Sequence, residues 1–186
     1  MAARRGRRGV SKAQWLEAGL EALAEGGVSA VTIGGLSRSL HIARAGFYWH
    51  FKDRSDLLDQ MLRHWSHELT EVISDNPEIA ALEPVGRLRH IAEMVLEYDL
   101  AAYELAIRQW ALNDGRAARA VRRVNRKRLD SVRAAFAELG FEGDDLEMRT
   151  MLFVAYHSFE APMFREISRK RRRGLIERRI ELLTRA

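Results

Sequence analysis

Residues 31–58 read VTIGGLSRSLHIARAGFYWHFKDRSDLL. Ile33, Leu36 and Leu40 recur at helical spacing, and Thr32 stands where a helix start needs a capping oxygen. His41-Ile42-Ala43 forms a tight turn, and Arg44 to His50 fits a second helix of about two turns. Phe47 and Phe51, four apart, face a small core. That turns Arg44, Gly46, Tyr48, Trp49 and His50 outward or sideways, and Lys52 and Arg54 follow directly. A short aromatic and basic helix held behind a tight turn is suited to reading a major groove.

The run Gly46-Phe47-Tyr48-Trp49-His50-Phe51-Lys52-Asp53, followed by Leu57-Leu58, resembles the recognition helix and the start of the fourth helix in the TetR family of transcriptional regulators. The likeness is specific over residues 11–62; beyond them it rests on length and helical layout. Two positions depart from the family pattern. His41 replaces the usual turn glycine, and Ala43 replaces the Ser or Thr that caps the recognition helix, a loss of about 1 kcal/mol. The resemblance implies an all-α chain of about nine helices. It divides this chain into a DNA-binding head over residues 1–55 and a helical ligand-binding and dimerisation body over 56–186. Carried over residue by residue, it makes Arg44 the base-reading side chain. Gly46 allows close approach, while Tyr48, Trp49 and His50 meet phosphates and Lys52 and Arg54 add charge. Thr32, Arg7 and Arg8 complete the expected DNA contacts. A homodimer is implied through Leu152, Phe159, Ile176, Ile180 and Leu183 on the last two helices.

Composition agrees with a helical globular chain. Of the 186 residues 47% are apolar and 31% charged, and only 3 are Pro, so long helices can run unbroken. The absence of Cys excludes disulfides and thiolate metal sites. The longest apolar run, Met151–Tyr156, is far below the roughly 18 residues a bilayer span needs. The opening MAARRGRRG is rich in Arg, as transit peptides are, but no apolar stretch follows it, so a cytoplasmic address is expected. Charge is segregated: residues 1–58 hold 9 Lys/Arg against 5 acids, and residues 165–186 hold 9 against 3. With a net charge of +5, the middle of the chain is acidic. Basic ends on an acidic body suit a polyanion-binding terminus.

Taken in order, Arg4, Arg5, Arg7 and Arg8 make a basic arm suited to phosphates or a minor groove; a solvated tail is the plain alternative. Ser11 and Gln14 form a capping box for a first helix lined by Trp15, Gly19, Ala22 and Leu23 and ended by Gly26-Gly27. Asp53 and Asp56 open the next helix, which runs to about Asn76 with Leu58, Met61, Leu62, Trp65, Leu69 and Val72 as its stripe. His64 and His67 lack a third ligand at matched spacing, so no metal is assigned. After a loop punctuated by Pro77 and Pro84, helices fit 84–99, 101–113, 116–139 and, capped by Asp144 or Asp145, on to about Phe164. That last helix is apolar nearly all round and therefore needs cover on all sides. Arg169–Arg173 open a terminal helix over 168–186, and such a cationic start calls for acidic neighbours.

No phosphate loop, nucleophile elbow or zinc motif is present, and no carboxylate pair converges, so neither an enzyme nor a cofactor is indicated. The reading is a ligand-responsive DNA-binding regulator, a repressor acting as a homodimer on an inverted-repeat operator. Its effector is an unidentified small molecule, and no membrane partner is indicated. Tyr103, Ile107, Trp110, Phe153, Tyr156, His157 and Phe159 are the candidate effector contacts, combining bulk with polar tips; ordinary core is the plain alternative for each. Glu93, Glu97, Asp99 and Glu104 would suit a cationic effector if they faced inward. The competing reading is a helical adaptor that touches RNA or anionic surfaces through its basic ends. Duplex binding that survives competitor polyanion separates the two.

Overall fold

The computed structural model describes residues 9–67, 75–99 and 101–185. Among these it holds ten α-helices, one 3₁₀ helix and no strand. The chain forms two compact units, residues 1–64 and 65–186. The division falls inside the helix that begins at Arg54, beyond the 55/56 boundary drawn from sequence.

The first unit contains α1 (Lys12–Ala30), α2 (Ile33–Ser39), a 3₁₀ helix (Arg44–Trp49) and most of α3 (Arg54–Ser66). α1 opens on the expected capping box: Ser11 N donates to Gln14 Oε1 at 2.8 Å and Gln14 N to Ser11 Oγ at 3.3 Å. Its helical geometry breaks at Gly26 and at Gly27, where φ is 69°, but a further turn continues to Ala30. The core is aromatic. Trp15, Phe47, Leu57 and Met61 are fully enclosed, and Phe47 meets Trp15 edge-on at 5.5 Å and Phe51 at 5.1 Å. α3 carries its own reciprocal cap, with Asp56 N donating to Asp53 Oδ1 and Lys52 N to Asp56 Oδ2, both at 2.9 Å. The Gln60 amide and the Lys52 N–H hold the Asp56 carboxyl below its usual pKa. The expected continuation of α3 to Asn76, with Leu69 and Val72, lies outside the described residues, as do Arg7, Arg8 and the rest of the basic arm.

The second unit contains α4 (Pro77–Ala80), α5 (Pro84–Glu97), α6 (Glu104–Ala111), α7 (Gly115–Glu138), α8 (Gly143–Met163), α9 (Arg169–Arg173) and α10 (Ile176–Thr184). α4 lies where the spacing of Pro77 and Pro84 predicts a loop; Asn76 caps it, its side chain accepting from Glu78 N at 2.8 Å. The expected terminal helix is instead two, with Gly174 and Leu175 between them. α7 packs against α6 and α8, and α10 against α5. Leu88, Ile91, Leu96, Val132, Phe136, Phe153, Ile176 and Ile180 share one core. One expectation for α8 changes. Neither Asp144 nor Asp145 caps it, because the helix starts at Gly143 behind Glu142. The chain's own core covers it only in part, since Met148, Met151 and Leu152 are about half exposed and Met163 is 73% exposed.

Candidate nucleic-acid interface and effector body

The presentation of the short helix starts at α2. Thr32 Oγ1 accepts from Gly35 N at 3.1 Å, and Ser37 and Ser39 fold their hydroxyls back onto the carbonyls of Ile33 and Leu36. His41 holds the turn at φ 52°, with Ile42 N donating to Ser37 O at 3.0 Å. The expected two-turn α-helix at Arg44–His50 is a 3₁₀ helix. The physical reason is the bare start: Ala43 offers no capping oxygen, and a segment this short cannot nucleate an α-helix well without one. Phe47 and Phe51 still face inward, which leaves Tyr48 62% and Trp49 86% exposed. Two bare aromatics beside exposed Arg44 and Lys52 form a basic, π-bearing surface.

Not every predicted contact residue is free for DNA. Arg54 spends its guanidinium inside the head, Nε donating to Val31 O at 2.6 Å and Nη2 to Val28 O. His50 Nε2 donates to Val10 O at 2.9 Å, so the ring pins the chain entering α1. Gly46 has a reason within the head, since a Cβ there would lie 3.0 Å from Ile42 Cδ1. Gly34 also has a use within the head. The Arg44 guanidinium lies over Gly34, where a Cβ would approach Nη2 to 2.8 Å. Around it opens a hollow of about 550 Å³ lined by Ser37, Arg38, His41 and Arg44 among others. Arg38 is thus a cation of this surface that the motif did not single out; its position on the outer face of α2 was the available clue.

The seven candidate effector residues do not converge on one cavity. Phe153 belongs to the core shared with α5, α7 and α10. Ile107 and Trp110 are buried, and Trp110 Nε1 donates to Asp114 Oδ2 at 3.1 Å. Tyr103 is half-buried just before α6. His157 is also enclosed: Nδ1 donates to Phe153 O at 2.7 Å, which leaves Nε2 to accept from Arg179 Nη2 at 3.1 Å. Burial, with the guanidinium beside it, pushes this imidazole down to about 3, so it is neutral. Tyr156 and Phe159 instead line an open apolar groove of about 870 Å³ with Leu105, Leu152, Met163, Leu182 and Leu183. Arg179 stacks over the Tyr156 ring at 4.1 Å on its wall.

The predicted dimer residues divide in the same way. Leu152, Phe159 and Leu183 line the groove, but Ile176 and Ile180 are 3% and 2% exposed inside the chain's own core. An interface cannot use the latter two, because the α10 stripe that carries them faces α5. The cationic-effector expectation is also corrected. Glu93, Glu97 and Asp99 are exposed, and Glu97 pairs with Arg173 at 2.6 Å. Glu104 does face inward but is already matched by Arg108 at 2.6 Å and Arg128 at 3.0 Å. Arg128 also donates to Ser158 Oγ and lies over the Trp65 ring. As the Arg169–Arg173 run required, acids lie near it: Glu97 for Arg173 and Glu160, at 3.7 Å, for Arg172.

Residues 16–61 match the family model of the bacterial regulatory proteins of the tetR family. Over 82 residues the chain is 29% identical to the HTH-type transcriptional regulator AcrR of Shigella flexneri, a match covering 44% of this chain and 38% of that protein. Similarity of fold extends much further. The transcriptional regulator FadR of Bacillus subtilis, solved with stearoyl-CoA, superposes with a TM-score of 0.69 at 16% identity, covering 94% of this chain and 98% of that one. AibR, solved with isovaleryl coenzyme A and operator DNA, gives 0.68 at 15% identity over 93% and 97% of the two chains. By sequence its head is similar to the tetR family of bacterial regulatory proteins, and over nearly its whole length the chain shares the fold of solved transcriptional regulators.

Proposed function

We propose that this protein is a ligand-responsive DNA-binding regulator, a repressor rather than an enzyme, which binds an inverted-repeat operator as a homodimer. The observation that carries the reading is the pair Tyr48 and Trp49, left bare beside Arg44 because Phe47 and Phe51 anchor the opposite side of the same short helix. Large aromatics this exposed are informative where a buried apolar residue is not. One reading helix per chain recognises half a site, so specificity needs two chains and a dyad in the DNA. The apolar groove on α8 and α10 supports the dimer, because Leu152, Met163 and Leu182 leave a contiguous apolar surface there for a second copy to cover.

For the effector, acyl thioesters of coenzyme A are the class to test first, since FadR and AibR share the fold and were solved with such ligands. The adaptor reading draws on both basic ends, and within the terminal run Arg172 and Arg173 are paired inside the body. Among the described residues no helix is long and apolar enough to cross a membrane, and a regulator of genes works in the cytoplasm. Selection of bound fragments from random duplexes tests the reading. The expected product is an inverted repeat with half-site centres roughly 34–36 Å apart. Arg44→Ala should relax base preference at one position of each half-site and cost about 1–3 kcal/mol. A recovered site without a dyad would overturn the homodimer.

A further inference from the structure

α7 carries eight Lys and Arg against two acids, although it lies in the part of the chain whose net charge is negative. Half of those cations are matched. Arg116 pairs with Asp114 at 3.0 Å, Lys127 with Asp75 at 2.8 Å, Arg128 with Glu104 at 3.0 Å, and Arg133 with Glu147 at 2.7 Å. The remaining four are Arg119, Arg122, Arg123 and Arg126, all exposed. Among the described residues none of the four has a carboxylate partner; Arg123 Nη2 reaches only Ser66 Oγ, at 3.5 Å. At 100° per residue they share one arc of roughly 100° on the helix. The buried side chains of the same helix, Ala117, Ala120, Val121 and Val124, lie on the opposite face.

This arrangement works against the fold. Like charges three or four apart weaken a helix by about 0.2–0.5 kcal/mol per pair. The pairs 119–122, 119–123, 122–126 and 123–126 all have that spacing. A helix that matches its other cations with named acids leaves these unmatched on one side, which marks the stripe as a seat for an external anion. A single carboxylate would bring one charge to four guanidiniums. The diphosphate and the 3′-phosphate of a coenzyme A carry roughly four negative charges together, and each phosphate accepts the forked donors of Arg.

We propose that Arg119, Arg122, Arg123 and Arg126 form a phosphate seat on α7 that holds the nucleotide end of an amphipathic effector of the acyl-CoA type. The proposal rests on the effector reading given above and adds the residues that recognise its charged end. These side chains do not line the apolar groove, and an exposed seat leaves phosphate oxygens partly hydrated, so binding weakens as salt rises.

The test compares the whole protein with its Arg119→Gln/Arg122→Gln/Arg126→Gln variant by calorimetry at low salt. The probes are isovaleryl-CoA, stearoyl-CoA, adenosine 3′,5′-bisphosphate and the free isovaleric and stearic acids. Unchanged circular dichroism first establishes that the variant folds. The expected result is an acyl-CoA affinity about tenfold or more weaker in the variant, as loss of a charge-assisted phosphate contact gives, with affinity for the free acids unchanged. Equal acyl-CoA binding by both proteins overturns the seat and leaves the effector reading standing. If wild type takes the bisphosphate in a stripe-dependent way but no acyl-CoA, the seat stands and the effector reading falls. If it takes neither, both fall. A variant that loses duplex affinity while keeping acyl-CoA would reassign the stripe to DNA and overturn the proposal.

Discussion

Arg54 follows the recognition motif in sequence and looks like one more phosphate contact, yet its donors close onto the carbonyls of Val28 and Val31. Hydrogen bonds from a charged donor contribute about 1.5–3 kcal/mol each, so Arg54→Ala should lower the stability of the head by about 2–3 kcal/mol. Thermal unfolding followed by fluorescence checks this. Loss of DNA binding with an unchanged melting temperature would show that Arg54 serves the DNA instead. His41 makes the opposite prediction. An L-residue at φ 52° carries strain of about 1–2 kcal/mol that glycine lacks, so His41→Gly should raise the melting temperature slightly. His157 makes stability depend on pH. Its folded pKa of about 3 lies below the unfolded value, so on acidification the unfolded chain takes up the proton first. The stability contribution is complete above about pH 6.5 and falls through the window down to 3, by about 2 kcal/mol at pH 5. Denaturant melts at pH 7 and pH 5 measure the difference, and His157→Asn should flatten it.

Among the elements, α8 and α10 each have two apolar faces with different purposes. The α10 face carrying Ile176 and Ile180 closes the chain's own core, while Leu182 and Leu183 look into the groove. Substitutions should separate these purposes. Ile180→Glu places an unpaired charge in the core and should unfold the body, an effect of several kcal/mol. Leu152→Glu with Leu182→Glu alters only exposed positions, so helical content should persist while sedimentation shows monomers. A double variant that stays dimeric would place the interface on another face. The 3₁₀ helix is a further case in which context sets the element. Without a cap at Ala43 it tightens to i→i+3 bonding, yet Phe47 and Phe51 still anchor it.

For the whole molecule, the property to measure is coupling between effector and operator. An effector that shifts one dimer between two states must change operator affinity by the factor by which operator changes effector affinity, on the order of 1–3 kcal/mol. Titrating an acyl-CoA with and without operator duplex checks this. Equal affinities would show that the body holds a ligand without signalling. The buried Glu104, joined to Arg108 and Arg128, is where α6 and α7 meet charge to charge, with Arg128 continuing to Trp65 and Ser158. Glu104→Gln leaves two arginines uncompensated there and should cost about 3–5 kcal/mol in body stability, read from a denaturant melt.

The head was legible because its information is local. A capping box, apolar residues three and four apart, an aromatic pair and a turn all operate within a few residues, and the structure keeps each of them. The long body helices were legible for the same reason, since periodicity and Gly or Pro punctuation mark them along the chain. Tertiary packing settled which residues meet. The apolar stripe of α10 gives no sign in sequence that Ile176 and Ile180 turn inward while Leu182 turns out, because the choice depends on where α5 lies. Arg54 and Arg44 are both cations near one motif, but only the fold brings the carbonyls of Val28 and Val31 to the first and Gly34 beneath the second. Glu104, which would suit a cationic effector if it were open to one, is neutralised by Arg108 one turn on and by an arginine 24 positions away along the chain. The charge of a side chain is fixed by its identity, but whether it is available to a partner depends on long-range contacts that only the folded packing supplies.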